Sequence, residues 1–224
     1  MPAIRFTVGD EKVSGLWQEP KSAHAALVIA HGAGAGMKHR FLESVAKGLG
    51  ERGVATLRYQ FPYMEAGRKR PDSPKVAVAA VRAAVAKAEE LAPDLPLFAG
   101  GKSFGGRMTS TAEAEEHMTG LVGLVFFGFP LHAPGKPSAE RGDHLGDVNL
   151  PMLFLQGTRD SFADNTLIAK TTKKLGRRAR LVTFDQADHS FHVPKSSGLS
   201  DAETMEMMLD ATGDWIADVV GLPR

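Results

Sequence analysis

The sequence predicts an α/β fold: a mostly parallel central sheet with helices on both faces. Three observations predict it. Short, uninterrupted apolar runs, such as Ala25–Ala30 (AALVIA) and residues 121–128 (LVGLVFFG), recur along the chain, as strands buried on both faces require. Segments with helical apolar spacing stand between them, so strands and helices alternate from residue 25 onward. Each run also ends in a loop carrying glycine, histidine, serine or aspartate, at the edge where such sheets place their sites.

Residues 4–8 alternate like a strand, Gly9-Asp10 supplies a turn, and residues 12–18 return, so the chain opens with an antiparallel hairpin. Ala25–Ala30 follows as a buried strand and ends in the flexible loop His31-Gly32-Ala33-Gly34-Ala35-Gly36. Phe41, Leu42, Val45 and Leu49 mark a helix over 40–52, stopped by Gly53, and Val54–Tyr59 is the next strand. Residues 60–72 (QFPYMEAGRKRPD) form a polar, proline-flanked loop. Ser73 as N-cap and Pro74 at the first helical position then open an alanine-rich helix over 75–91. Beyond the strand at 121–128, residues 129–150 form a loop rich in Pro, Gly and His, and 152–156 form a short strand ending in Gly157-Thr158-Arg159-Asp160. Asn165–Leu175 is helical with Gly176 just past its end, 180–184 is the last strand, and 185–199 is irregular. Ser200 and Glu203 form a capping box for a final helix whose stripe includes Met205, Met208, Leu209, Thr212 and Ile216.

The segment 97–106 (LFAGGKSFGG) runs from apolar strand through glycines to a serine and on into a helix. That is the pattern of a nucleophile elbow, G-x-S-x-G, in which the glycines let strand and helix approach closely around a strained serine. Its GGKS also invites a phosphate-loop reading, but that pattern needs glycine five positions before Gly101, where Pro96 stands. By itself the elbow is a weak signal; its weight comes from what the other strand tips carry. A serine hydroxyl needs a base, which histidine supplies, and a carboxylate that fixes the imidazole tautomer. The chain order Ser103, Asp160, His189 puts each group after a strand, as G-x-S-x-G hydrolases do. The amides of Phe104 and Ala33 are the expected oxyanion donors. His31, Gly34, Tyr63, Arg68 and His132 are candidate substrate contacts, Arg68 through the basic run Arg68-Lys69-Arg70, although a solvated loop face is the more frequent reason for such a run. His189-x-x-His192 has the look of a metal pair, but no further ligands cluster with it, and no metal or cofactor is expected.

With 224 residues the chain fits one domain, taken as 1–224. A net charge of +1 gives no reason to expect nucleic acid or an acidic membrane as partner. The absence of cysteine removes disulfides, a cysteine nucleophile and thiolate metal sites, and suits a reducing compartment. With no signal-like N-terminus and no apolar run long enough to span a bilayer, a cytoplasmic, soluble protein is expected.

The stretches HGAGAGMKHRF, RYQFPYMEAGRKRPD, GGKSFGGRM, GFPLHAPGKP, LFLQGTRD and ADHSF resemble the α/β-hydrolase superfamily over nearly the whole chain. More closely, they resemble its small, lidless, dienelactone-hydrolase-like group. That group also includes the hydrolase-like domain of a chromatin NSL-complex subunit and a testis-expressed protein. The resemblance implies the α/β-hydrolase fold without a cap domain, with Ser103, Asp160 and His189 as nucleophile, acid and base. The nucleophile departs from true dienelactone hydrolases, which use cysteine, so their substrate does not carry over. Residues 129–150 are too short and too rich in Pro and Gly for a helical cap, which implies an open site for small or extended acyl substrates. The expected activity is ester hydrolysis by a serine hydrolase. Thioester or peptide hydrolysis on the same triad, or a non-catalytic interaction module on this fold, are the alternatives.

Overall fold

The computed structural model describes residues 3–222; the two residues at each end of the expected 1–224 domain lie outside it. Eight strands form one sheet: β1 (Ala3–Val8), β2 (Glu11–Gln18), β3 (Ala25–Ala30), β4 (Val54–Tyr59), β5 (Leu97–Lys102), β6 (Leu121–Phe127), β7 (Met152–Gly157) and β8 (Ala179–Phe184). Their spatial order is β1-β2-β4-β3-β5-β6-β7-β8. The hairpin β1–β2 and the β2–β4 pair are antiparallel, and every pair from β4 to β8 is parallel.

Buried parallel strands must satisfy two apolar faces, and the sequence does so by strict alternation. In β3, Ala26, Val28 and Ala30 enter one core while Ala25, Leu27 and Ile29 enter the other. The helices α3 (Pro74–Leu91), α4 (Phe104–Glu115) and α5 (Asn165–Leu175) cover the first core. The second lies under α1 (Arg40–Glu51) and α6 (Asp201–Val220). Alanine dominates the inner face of α3 (Ala77, Ala80, Ala84, Ala88), so that helix packs close to the sheet. Arg52, just past α1, ties that helix to Glu206 and Asp210 of α6.

The strand order reverses at β3, which lies between β4 and β5. From there the chain winds one way to β4 and then crosses to the other side for β5, leaving a crevice between the β3 and β5 tips. Registers bring the remaining tips alongside: Ala30 pairs with Gly101, Lys102 with Phe127, Phe127 with Leu155, and Gly157 with Phe184.

Three local expectations change. Residues 60–72 are not simply a polar loop. They contain a one-turn helix, α2 (Pro62–Glu65), and Phe61 and Tyr63 are fully buried: both meet the His31 ring edge-on, and Phe61 also meets the Phe104 ring edge-on. Ser73 does precede α3 as its N-cap residue, with Pro74 first in the helix, but the serine side chain makes no capping bond. Residues 129–150 hold a 3₁₀ segment, Glu140–Asp147, whose His144 Nε2 meets Ser110 Oγ of α4 at 2.7 Å. That serine donates its hydroxyl proton to the Arg107 carbonyl, so the contact braces α4 and leaves no activated hydroxyl. The capping box of Ser200 and Glu203 on α6 is present as expected.

Candidate active site

Ser103 occupies the turn between β5 and α4 at φ +52°, ψ −116°, a conformation that side-chain-bearing residues avoid at a cost of about 1–3 kcal/mol. The flanking glycines make it possible. A Cβ on Gly105 would lie 2.5 Å from the Ala30 carbonyl oxygen and 2.6 Å from that of His31, and one on Gly101 would also strike Ala30. Only glycine lets α4 start this close to β3. Thr109 Oγ1 binds the carbonyls of Gly105 and Gly100, locking the first helical turn onto the strand end.

The three strand tips converge. His189 Nε2 lies 2.8 Å from Ser103 Oγ, and His189 Nδ1 lies 2.7 Å from Asp160 Oδ2. With Nδ1 donating to the carboxylate, Nε2 is left to accept the serine proton. The Asp160 side chain is wholly buried and also accepts from Gln156 Nε2 at 2.5 Å and from the Phe162 amide at 2.8 Å. Gln156 in turn accepts from the Phe129 amide, joining the β6 and β7 tips. The Phe162 ring lies against the His189 imidazole at 4.4 Å between centroids. Burial pushes the imidazole below its ordinary pKa of 6.5; the Asp160 hydrogen bond opposes that and nearby Lys102 adds to it.

Ser103 opens into a cavity of about 350 Å³, also lined by Ala33, Phe41, Leu42, Lys102, Phe162 and His189. No residue of 129–150 lines it, so nothing in that segment forms a lid. A larger groove of about 500 Å³ between α1 and α6 shares His39, Phe41 and Ser190 with the cavity, but none of Ser103, Asp160 and His189 lines it. Phe104 is the first residue of α4, where a helix leaves its amide without an intrahelical partner, and Ala33 is exposed on the β3 loop.

The other residues singled out from the sequence do not line this cavity. His31 is fully buried; Nδ1 meets the Gly32 carbonyl and Nε2 accepts the Phe61 amide, so both nitrogens hold backbone. Burial lowers its pKa to about 4, keeping it neutral. The Gly34 amide donates to Tyr63 Oη at 2.9 Å, so that amide and that hydroxyl are committed to each other. His132 accepts the Asp164 amide and binds the Ala133 carbonyl, bracing the loop that carries Asp160. Arg68 is exposed and pairs with Asp72. His192 turns away from the triad to Asp201. The structure therefore assembles Ser103, Asp160 and His189, with Ala33 and Phe104 beside them, and makes the rest supports. Sequence reasoning missed Gln156 and Phe162. Gln156 lies inside the β7 motif LFLQGTRD, four residues before Asp160, and a glutamine in an otherwise apolar buried strand was the available signal.

Comparison with known proteins matches residues 23–217 to a family described as an alpha/beta hydrolase domain, and the chain belongs to that family. Among solved structures, a dienelactone hydrolase from Anabaena variabilis superposes with a TM-score of 0.76 at 21% identity, over 97% of this chain and 96% of that one. A lidless α/β serine hydrolase from Xanthomonas campestris gives 0.72 at 18% identity, over 100% and 95%. Est1E from Butyrivibrio proteoclasticus with bound ferulic acid gives 0.75 at 17% identity, over 97% and 99%. These likenesses establish the fold. No helix among the described residues is long and apolar enough to cross a membrane.

Proposed function

We propose that this chain is a cytoplasmic serine hydrolase that cleaves an ester or similar acyl bond in a small or extended substrate. The observation that carries the reading is the unbroken hydrogen-bond line from Ser103 Oγ through His189 to Asp160 Oδ2 at the floor of an open cavity. Ser103 Oγ attacks the acyl carbon while His189 Nε2 takes its proton, and Asp160 stabilises the resulting imidazolium. The oxyanion is held by the amides of Phe104 and Ala33. His189 returns the proton to the departing alkoxide, leaving an acyl-Ser103 ester. Water then attacks that ester, again losing its proton to His189, and the acid departs as Oγ regains a proton.

Acyl chemistry is also suggested by the names of the structural neighbours, one a dienelactone hydrolase and one bound to ferulic acid. The cavity volume of about 350 Å³ and the lack of a lid favour short acyl groups over long lipid chains. A panel of p-nitrophenyl esters of rising chain length tests this: turnover that is highest for short chains and lost in Ser103→Ala is expected. Equal turnover in the Ser103→Ala variant would overturn the triad.

A further inference from the structure

Resting on the assignment of His189 as the base, we propose that Lys102 is a positioning residue: its ammonium fastens the main chain of His189 to the nucleophile elbow and keeps a positive charge beside the imidazole. Lys102 is the variable residue of G-x-S-x-G, adjacent to the nucleophile, and its side chain turns back into the site. Nζ donates to the carbonyl oxygen of His189 itself, so a single side chain links the tip of β5 to the loop after β8. The ammonium lies over two aromatic faces, 5.8 Å from the Phe41 centroid and 5.5 Å from that of Phe191.

The clearest geometric sign is at Gly128, at the end of β6. A Cβ there would fall 2.9 Å from Lys102 Nζ, 3.4 Å from Asp160 Oδ2 and 3.4 Å from His189 Cε1. Cation, carboxylate and imidazole therefore crowd around one point, and the absence of a side chain at Gly128 (φ +69°) makes room for all three. The groups facing the ammonium are Asp160 from the β7 loop, Asp188 and His189 from the β8 loop, Phe41 from α1, and Phe191. A cation at that position disfavours imidazolium and so keeps His189 available as a base, while Asp160 pulls the other way. The ammonium is itself held at about 8 by burial, with Asp160 and Asp188 opposing, so it is charged at neutral pH.

The test compares wild type with Lys102→Met and Lys102→Arg, reading the His189 imidazole titration by NMR and kcat/KM for a short ester against pH. In Lys102→Met the His189 midpoint is expected to rise by about 0.5 pH unit and kcat/KM at neutral pH to fall about tenfold or more, with the melting temperature within a few degrees of wild type. Lys102→Arg restores the midpoint and most of the rate. A folded Lys102→Met with an unmoved His189 midpoint overturns the proposal, whether or not the rate falls, because a merely structural lysine would alter folding and rate without moving that titration. If the methionine variant does not fold, Lys102→Gln, neutral but still polar, takes its place in the same titration. The titration needs no turnover. A wild type that fails to hydrolyse esters would thus count against the hydrolase reading while the midpoints still decide the role of Lys102.

Discussion

Gly105→Ala places one methyl group where the structure has no space for it. The new Cβ would stand 2.5 Å from the Ala30 oxygen, 2.6 Å from the Ala30 carbonyl carbon and 2.6 Å from the His31 oxygen. Carbon–oxygen contact is comfortable at about 3.3 Å, so the overlap is roughly 0.8 Å. All three obstacles are backbone at the end of a central strand, so no flexible side chain can yield. The relief available is to move α4 off β3, which carries Ser103 and the amide of Phe104 with it. Overpacking of this kind costs about 1–3 kcal/mol, and a purely backbone clash belongs at or above the top of that range. For a chain of this length each kcal/mol lowers the melting temperature by roughly 2–4 °C, so a fall of about 6–12 °C is expected. Displacing the nucleophile by roughly 1 Å should also reduce kcat/KM by about a hundredfold. The control is Gly146→Ala, where an added Cβ meets nothing within 4 Å and the backbone has no positive φ; it should melt at or slightly above wild type. Calorimetry and ester kinetics on both variants provide the comparison. If Gly105→Ala kept the wild-type melting temperature and kcat/KM, the close approach of α4 to β3 would not be what builds the elbow.

Three further outcomes are expected. Asp160→Asn, with its amide offered to Nδ1, favours the wrong imidazole tautomer and should lower kcat by about 10⁴, the size associated with this change in serine-protease triads, with near-UV circular dichroism unchanged. The acidic limb of kcat/KM should have its midpoint below 6.5, because burial and Lys102 outweigh Asp160 at His189 and the base works only when neutral; activity is then lost as pH falls through the lowered pKa, and a midpoint above 6.5 would contradict the assignment. Tyr63→Phe removes the acceptor for the Gly34 amide, which should cost about 1 kcal/mol in urea unfolding and reduce kcat more than it changes KM, since the loop carrying Ala33 loses its anchor.

The strands, and the meeting of Ser103, His189 and Asp160, were legible because their determinants are local: apolar runs mark the strands, and a serine, an aspartate and a histidine follow three of them. The boundaries of β3 and β4 match the expected ones, and β5 begins at Leu97 as expected. What the sequence withheld was the direction of side chains in loops that meet only after folding. His31 and His132 lie in loops that follow strands, as a catalytic histidine would, yet both spend their nitrogens on backbone groups, one of each pair supplied by another loop. Tyr63 falls in a polar-looking segment, but the β3 loop folds over it and gives it a partner in the Gly34 amide. Lys102 looks like a spacer in the elbow pattern; its purpose depends on where the His189 carbonyl comes to rest, 87 positions further along. Gln156 shows the same dependence, since its role exists only when the tips of β6 and β7 are side by side.

Whether Ser103 is a nucleophile activated by His189 is decided by covalent capture. Wild-type protein treated with a fluorophosphonate probe at neutral pH should gain one phosphonyl group, located on Ser103 by peptide mass spectrometry, and Ser103→Ala should gain none. A folded wild type that stays unlabelled would favour a hydrolase fold kept for binding alone, and a Ser103→Ala variant labelled as fast as wild type would place the nucleophile elsewhere.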